Sequence, residues 1–345
     1  MRGAPELTKI PRSQRDAEGT VVAVAERGLM RRGADVFESR RILASALIAP
    51  AVIFIVLLVG TPFVLAIYLS FTDATAGSLS GSWVGLDNFS TAWHDPIFRH
   101  ALRNTAVMTL LSQVIVVVCA AILSNYLARP FRGRWFLRFL ILLPWAAPVA
   151  LGAITWLWIF DGLYSVVNWT LVHAGLIGPA CGLLHQWPFH VGECTSLNTP
   201  QWLGQENLGM AAIITVQAWR VLPFAVVIFL AGHASIPQEV QDAAKVDGAT
   251  GIRKLIYVTL PLQLPIALVA VLFGLIFTAT DMAVVYILTN GGPFNSTQVI
   301  TTWAFQTGVQ GGSLGEGAAV SLFLLPVLAV VTIAMLFFAR RSEVA

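Results

Sequence analysis

The stretch "QDAAKVDGATGIRKLIYVTLP", residues 241–261, is charged, and glycine interrupts it at its middle. Just before it, Pro237 suits a first helical position. Glu239 and Asp242 early and Lys245 late suit a helix dipole over "QEVQDAAKV". Asp247-Gly248 then ends that helix, because glycine permits a left-handed turn. A second helical run, "TGIRKLIYV", carries Ile252, Leu255 and Ile256 on one face, and Pro261 opens the next apolar run. The segment 237–261 therefore reads as two short helices joined by a glycine turn, lying along a membrane surface. Ala243 and Ala244 are small enough for another protein to approach the backbone, and Asp242 beside them can pair with an Arg in a cleft.

The rest of the chain is apolar. Hydrophobic residues make up 57% of the 345 and charged residues 11%, where a soluble domain carries roughly a quarter charged. Mean hydropathy is +0.75. Six apolar runs, at about 43–71, 105–128, 136–160, 209–232, 262–288 and 317–339, each supply the roughly 20 residues that cross about 30 Å of hydrocarbon as a helix. The expected fold class is an all-α polytopic membrane protein of six transmembrane helices over 42–341. Pro50, Pro62, Pro144, Pro148 and Pro223 lie within these runs. Either they line a kinked, cavity-forming bundle or they are ordinary kinks.

Lys and Arg orient the chain. They occur in the N-terminal tail up to Arg40 and Arg41, at Arg129, Arg132, Arg134 and Arg138, at Lys245, Arg253 and Lys254, and at Arg340 and Arg341. Connections 161–208 and 289–316 have none, and 72–104 has only Arg99 and Arg103. Both termini and 237–261 are thus expected in the cytoplasm, with loop 161–208 outside. Residues 1–41 read as a disordered cytoplasmic tail. Cys119 reads as a packing residue. Cys181 and Cys194 share the outer loop, and a bridge between them would contribute about 3 kcal/mol. His185, His190 and Glu193 in that loop read as solvated residues, and no metal site is expected.

The net charge of +3 points to no nucleic-acid partner. There is no phosphate-binding G-x-x-x-x-G-K-[ST], no H-E-x-x-H and no G-x-S-x-G, so no catalytic residues are assigned. Asp281 and Arg220 are the notable ionisable groups in the spans, fewer than an ion-driven carrier needs. Arg220 is open to three readings: a partner for Asp281, a contact for an anionic solute, or a side chain snorkelling at a membrane end.

Asp242-Ala243-Ala244, three residues, Gly248, nine residues and Val258-Thr259-Leu260-Pro261 resemble the EAA loop of binding-protein-dependent ABC importer permeases. Asp242 stands for Glu and Val258 for Ile. "WVGLDNF" (83–89), "LPWAAPVALGAITWLWIFDGLYSVVN" (143–168), "QAWRVLPF" (217–224) and "LTNGGPFNST" (288–297) are similar to segments of the carbohydrate-uptake branch, which includes maltose, trehalose and glycerol-3-phosphate systems. The resemblance implies a type I importer permease fold with a cytoplasmic coupling helix. It also implies a non-catalytic membrane subunit with no cofactor of its own. The implied partners, besides membrane lipid, are a second permease, two ATPase subunits holding ATP and Mg, and an extracytoplasmic solute-binding protein. The location implied is the bacterial inner membrane. Coupling to the ATPase falls to Glu239, Asp242, Ala243, Ala244, Asp247 and Gly248. The substrate pathway falls to Gln217, Val221, Phe224, Gly274, Phe277, Thr278 and Asp281. Helix–helix packing is the competing reading for each pathway residue, Phe224 and Phe277 above all.

Overall fold

The computed structural model describes residues 40–78, 80–162, 165–176 and 200–344. Most of the tail, the Cys181–Cys194 bridge and the histidines of that loop lie outside the described residues. Two units are present, one up to Leu65 and one from Ala66. The first holds α1 (Arg40–Ile55) and a π-helical turn, Val56–Gly60; α2 (Thr61–Ser70) carries the chain onward. Leu47, Phe54 and Val59 are all exposed. A helix apolar all round is one made for lipid.

In the second unit, α3 (Asp87–His94) leads to α4 (Pro96–Ala128), then α5 (Arg134–Ala146), α6 (Val149–Ile159), α7 (Val166–His173) and α8 (Glu206–Ala234). Next come α9 (Gln238–Val246), α10 (Gly251–Lys254) and α11 (Leu260–Ala279). The chain closes with α12 (Ala283–Leu288), α13 (Ile300–Phe305), α14 (Leu314–Leu322) and α15 (Leu324–Val344). Among the described residues, five helical stretches are long and apolar enough to cross a bilayer, and the bent pair α5 and α6 makes a sixth.

Helix α8 is the centre of this unit. It packs along α4, and α11 lies against both. Ala120, Ala121, Ala218, Ala225 and Ala270 meet at that junction beside Val226 and Phe229. Lipid tails are as apolar as Leu, so membrane helices associate by close packing, and small residues allow it. Helix α4 begins on a built cap: the Asp95 carboxylate accepts the Ile97 N–H at 2.8 Å, with Pro96 in the first turn.

Four spans differ from the sequence expectation, the second by starting at Pro96 instead of about 105. The run 136–160 is not one straight helix, because α5 and α6 meet at 99°. Ala147, which precedes Pro148, is extended at φ −73° and ψ 140°. Proline disfavours the helical region for the residue before it, so the helix stops there. The fifth run extends toward the polar segment: residues Gly251–Ala279 are continuously helical, with a π-helical turn at Leu255–Thr259. Pro261 therefore lies in an established helix instead of opening one, and the run 237–261 contains one independent short helix, α9. The same span ends at Ala279, and α12 follows as a separate piece. The last span starts at Leu314. There Gly308 and Gly317 touch backbone to backbone: a Cβ on Gly308 would lie 3.1 Å from the Gly317 Cα.

Candidate functional site

The polar segment is held in a defined shape. Helix α9 ends in a paired closure: the Ala249 N–H donates to the Ala244 carbonyl at 2.8 Å, and the Gly248 N–H to the Lys245 carbonyl at 3.1 Å. Gly248 sits at φ +72°, the left-handed conformation this closure requires. Glu239, Asp242, Ala243, Asp247 and Gly248 are exposed, whereas Ala244 is buried. Of the two alanines, only Ala243 is free for an external surface. Asp242 accepts from Lys245 Nζ at 2.7 Å and from Gln238 Nε2 at 3.2 Å. The Lys245 hydrogen bond, then that of Gln238, hold the Asp242 carboxyl below its ordinary range. Val246 is 88% and Ile252 73% exposed, which leaves an apolar rim around these charges.

Within the spans, a cavity of about 180 Å³ opens beside the bend between α5 and α6, against α8. Pro144, Trp145, Arg220, Val221, Phe224 and Phe277 line it. Its walls are aromatic. Trp145 stacks on Phe224 at 6.1 Å, and Phe277 stands edge-on to Phe224 at 5.9 Å. Arg220 supplies the charge on the wall, and its Nη1 is paired with Asp281 Oδ2.

Asp281 occupies the gap between α11 and α12. Its second carboxylate oxygen accepts the Val284 N–H at 3.1 Å, which caps α12, and its carbonyl accepts the Thr301 hydroxyl at 2.9 Å. Both carboxylate oxygens are thus engaged within the chain.

Of the seven pathway residues expected from the sequence, Val221, Phe224 and Phe277 line this cavity, and Asp281 stands behind it through Arg220. Gln217, Gly274 and Thr278 do not line it; they are buried between helices. There the Gln217 amide, the Gln113 amide and the Thr278 hydroxyl have no hydrogen-bond partner. Gly274 is the seat for the Gln113 amide, since any Cβ there would run into it. Trp145 and Gln113 were missed as single candidates. The signal for Trp145 was its place between Pro144 and Pro148; Gln113 has none beyond being an amide in an apolar run. Among the described residues no cluster of His, Cys, Asp or Glu could hold a metal ion.

A family of inner-membrane components of binding-protein-dependent transport systems matches residues 116–344. The chain belongs to this family. It is therefore a multi-pass, non-catalytic membrane permease subunit of an importer. It is 31% identical over 330 residues to the sulfoquinovosyl glycerol transport system permease protein SmoG of Agrobacterium fabrum, covering 94% of this chain and 99% of that one. The sn-glycerol-3-phosphate permease protein UgpA of the same organism is 26% identical, over 85% of this chain and 92% of its own length. The trehalose/maltose permease protein MalF of Thermococcus litoralis is 28% identical, over 75% and 80%. Among solved structures, a bacterial ABC transporter involved in import of the acidic polysaccharide alginate superposes with a TM-score of 0.70 at 21% identity. That match covers 90% of this chain and 99% of the other, and shares the fold.

Proposed function

We propose that this chain forms one half of the translocation path of an ATP-driven carbohydrate importer. The path passes the cavity between α5, α8 and α11, and the solute ring lies against Trp145, Phe224 and Phe277. The observation that carries this reading is the aromatic cavity at the bend of α5. An aromatic wall beside a charge-compensated arginine suits a polyhydroxylated solute, whose apolar ring face packs on aromatic rings while its hydroxyls accept from the guanidinium. Since Asp281 neutralises Arg220, the wall has no net charge, and a neutral sugar or polyol fits it. The relatives named above, all permeases for sugars or glycerol derivatives, support the carbohydrate class; the neutral charge of the solute rests on the Arg220–Asp281 pair alone, since two of those relatives are named for anionic solutes.

A second permease completes the path in this reading. Two ATPase subunits holding ATP and Mg drive the permease pair, one of them docking on α9 of this chain, and an extracytoplasmic binding protein delivers the solute. The Lys and Arg distribution supports a cytoplasmic α9 and cytoplasmic termini, the first 41 residues being a tail. The exposed Asp242, Ala243 and Val246, on a helix fixed by Gly248, support docking there. Gln217, Gly274 and Thr278 act from behind the wall, as the packing that holds Val221 and Phe277 in place.

The test is uptake by the complete complex in proteoliposomes. Phe224→Ala and Trp145→Ala should each raise the KM for transport at least several-fold while the complex still assembles. Unchanged transport kinetics in both would overturn the assignment of this cavity.

A further inference from the structure

A second cavity, of about 800 Å³, lies along the same two helices. The wall of the smaller cavity continues into it in steps of one helical turn. On α5 it passes from Trp145 to Ile141 and Arg138; on α8 it passes from Phe224 to Val227 and Ala231. Residues three and four apart share one helix face, so each helix presents one unbroken stripe to both cavities. The first cavity has Arg220 as its one charged donor, tied to Asp281; the second is rimmed by four donor side chains, Arg138, His233, Gln238 and Gln241. Arg138 gives one nitrogen to the Leu127 carbonyl at 2.9 Å, and its Nε has no partner; His233 Nδ1 has none either. No carboxylate is among the residues that line it. Gln238 and Gln241 belong to α9, and Gln241 is tied at 3.4 Å to both the Ile236 carbonyl and Lys254 Nζ.

From this placement we infer that the larger cavity is the exit chamber of the solute path, with Arg138 and His233 as its solute contacts and α9 as one of its walls. The inference rests on the transport reading above. It adds a second station for a hydroxyl-rich solute, and a direct mechanical link. Any shift of α9 moves Gln238 and Gln241, which changes the chamber itself with no relay through the bundle. A guanidinium, an imidazole and two amides offer donors to sugar hydroxyls while the apolar stripe below them holds the solute weakly, as release requires.

The experiment uses the assembled complex in inside-out vesicles, in a background whose native cysteines are replaced. Ala231→Cys is probed with a membrane-impermeant cationic thiol reagent and with a lipid-soluble maleimide. The expected result is rapid reaction with the impermeant reagent without nucleotide, slowed at least tenfold in the vanadate-trapped state and slowed by saturating carbohydrate. Reaction with the lipid-soluble reagent alone would make this face a lipid contact and overturn the inference. Reaction with neither would mean that a partner subunit covers it, with the same consequence. Equal reactivity in both nucleotide states would overturn the role of α9 as a moving wall. Failure of the complex to import any carbohydrate would overturn the transport reading instead, and is scored separately by uptake before labelling.

Discussion

The Arg220 guanidinium on α8 and the Asp281 carboxylate after α11 form one ion pair, and Asp281 also caps α12. A side chain that ties three helices at the edge of a cavity sets the position of the wall. In the proposed path, contact with solute falls to Arg220 and the aromatic residues of the cavity wall. The first prediction follows from the exposure of the two partners, 18% for Arg220 and 3% for Asp281. Removing one partner of a buried pair costs about 3–5 kcal/mol, because the other charge is left uncompensated. Asp281→Ala and Arg220→Ala should each lower the thermal midpoint of the purified complex sharply. The double variant Arg220→Met with Asp281→Leu should recover a large part of the loss. A double variant as unstable as the sum of the singles would show that the pair is not the source of the effect.

The helix contact at Gly317 yields a second prediction. A Cβ at Gly317 would meet the backbone of Gly308 and, at 2.8 Å, the Ala304 carbonyl. Backbone cannot swing aside as a side-chain end can. Gly317→Ala should therefore destabilise by about 1–3 kcal/mol, the range for overpacking. Gly77→Ala is the control, since nothing lies within 4 Å of a Cβ there. Equal thermal midpoints for the two variants would refute the close approach.

Topology is checked from the two sides. Phe294 is 95% exposed and lies in a connection without Lys or Arg; Thr250 is exposed and lies between Lys245 and Arg253. In a background with the native cysteines replaced, Phe294→Cys should react with an impermeant maleimide in intact cells. Thr250→Cys should react only after the membrane is opened. The reverse pattern would invert the orientation and remove α9 from the cytoplasm.

Much of this was legible in the residues, and the parts that were not share a physical cause. Gly248 announced its left-handed turn because a short polar helix had to stop before the next apolar run. Asp281 announced itself as a carboxylate in an apolar stretch, and Arg220 was among its candidate partners. What the pattern could not reveal is which prolines break a helix. Pro223 and Pro265 sit inside α8 and α11, which continue through them, whereas at Pro148 the chain turns by 99°. The difference lies in the conformation of the preceding residue and in the packing around it, neither of which a single-chain pattern encodes. Gln217, Gly274 and Thr278 came to the pathway from the resemblance to sugar permeases, with helix packing as the competing reading; their burial here follows from the crossing of α4, α8 and α11, which no run of residues in one chain spells out.

The last prediction concerns the joint at α9. At φ +72° Gly248 occupies a region that costs other residues about 1–2 kcal/mol, and proline, fixed near −65°, cannot enter it. Gly248→Pro should therefore unwind the end of α9 and its paired closure at Ala244 and Lys245. Gly248→Ala should be a milder version of the same defect. Asp242→Lys acts differently: it leaves the helix intact but places a second cation beside Lys245 on the exposed face. The depressed Asp242 carboxyl contributes its charge above its ordinary titration range and loses it only as pH falls through the lowered value, so the wild-type face is charged throughout neutral conditions. Both variants lie outside the spans, and the membrane bundle should survive them. The measurements are co-purification of the ATPase subunits and stimulation of ATP hydrolysis by loaded binding protein. Gly248→Pro should lose both. Asp242→Lys should weaken co-purification measurably, because it reverses the charge that α9 offers to a basic cleft. Full ATPase binding and normal coupled uptake in both variants would mean that force enters the permease elsewhere than through Gln238–Val246.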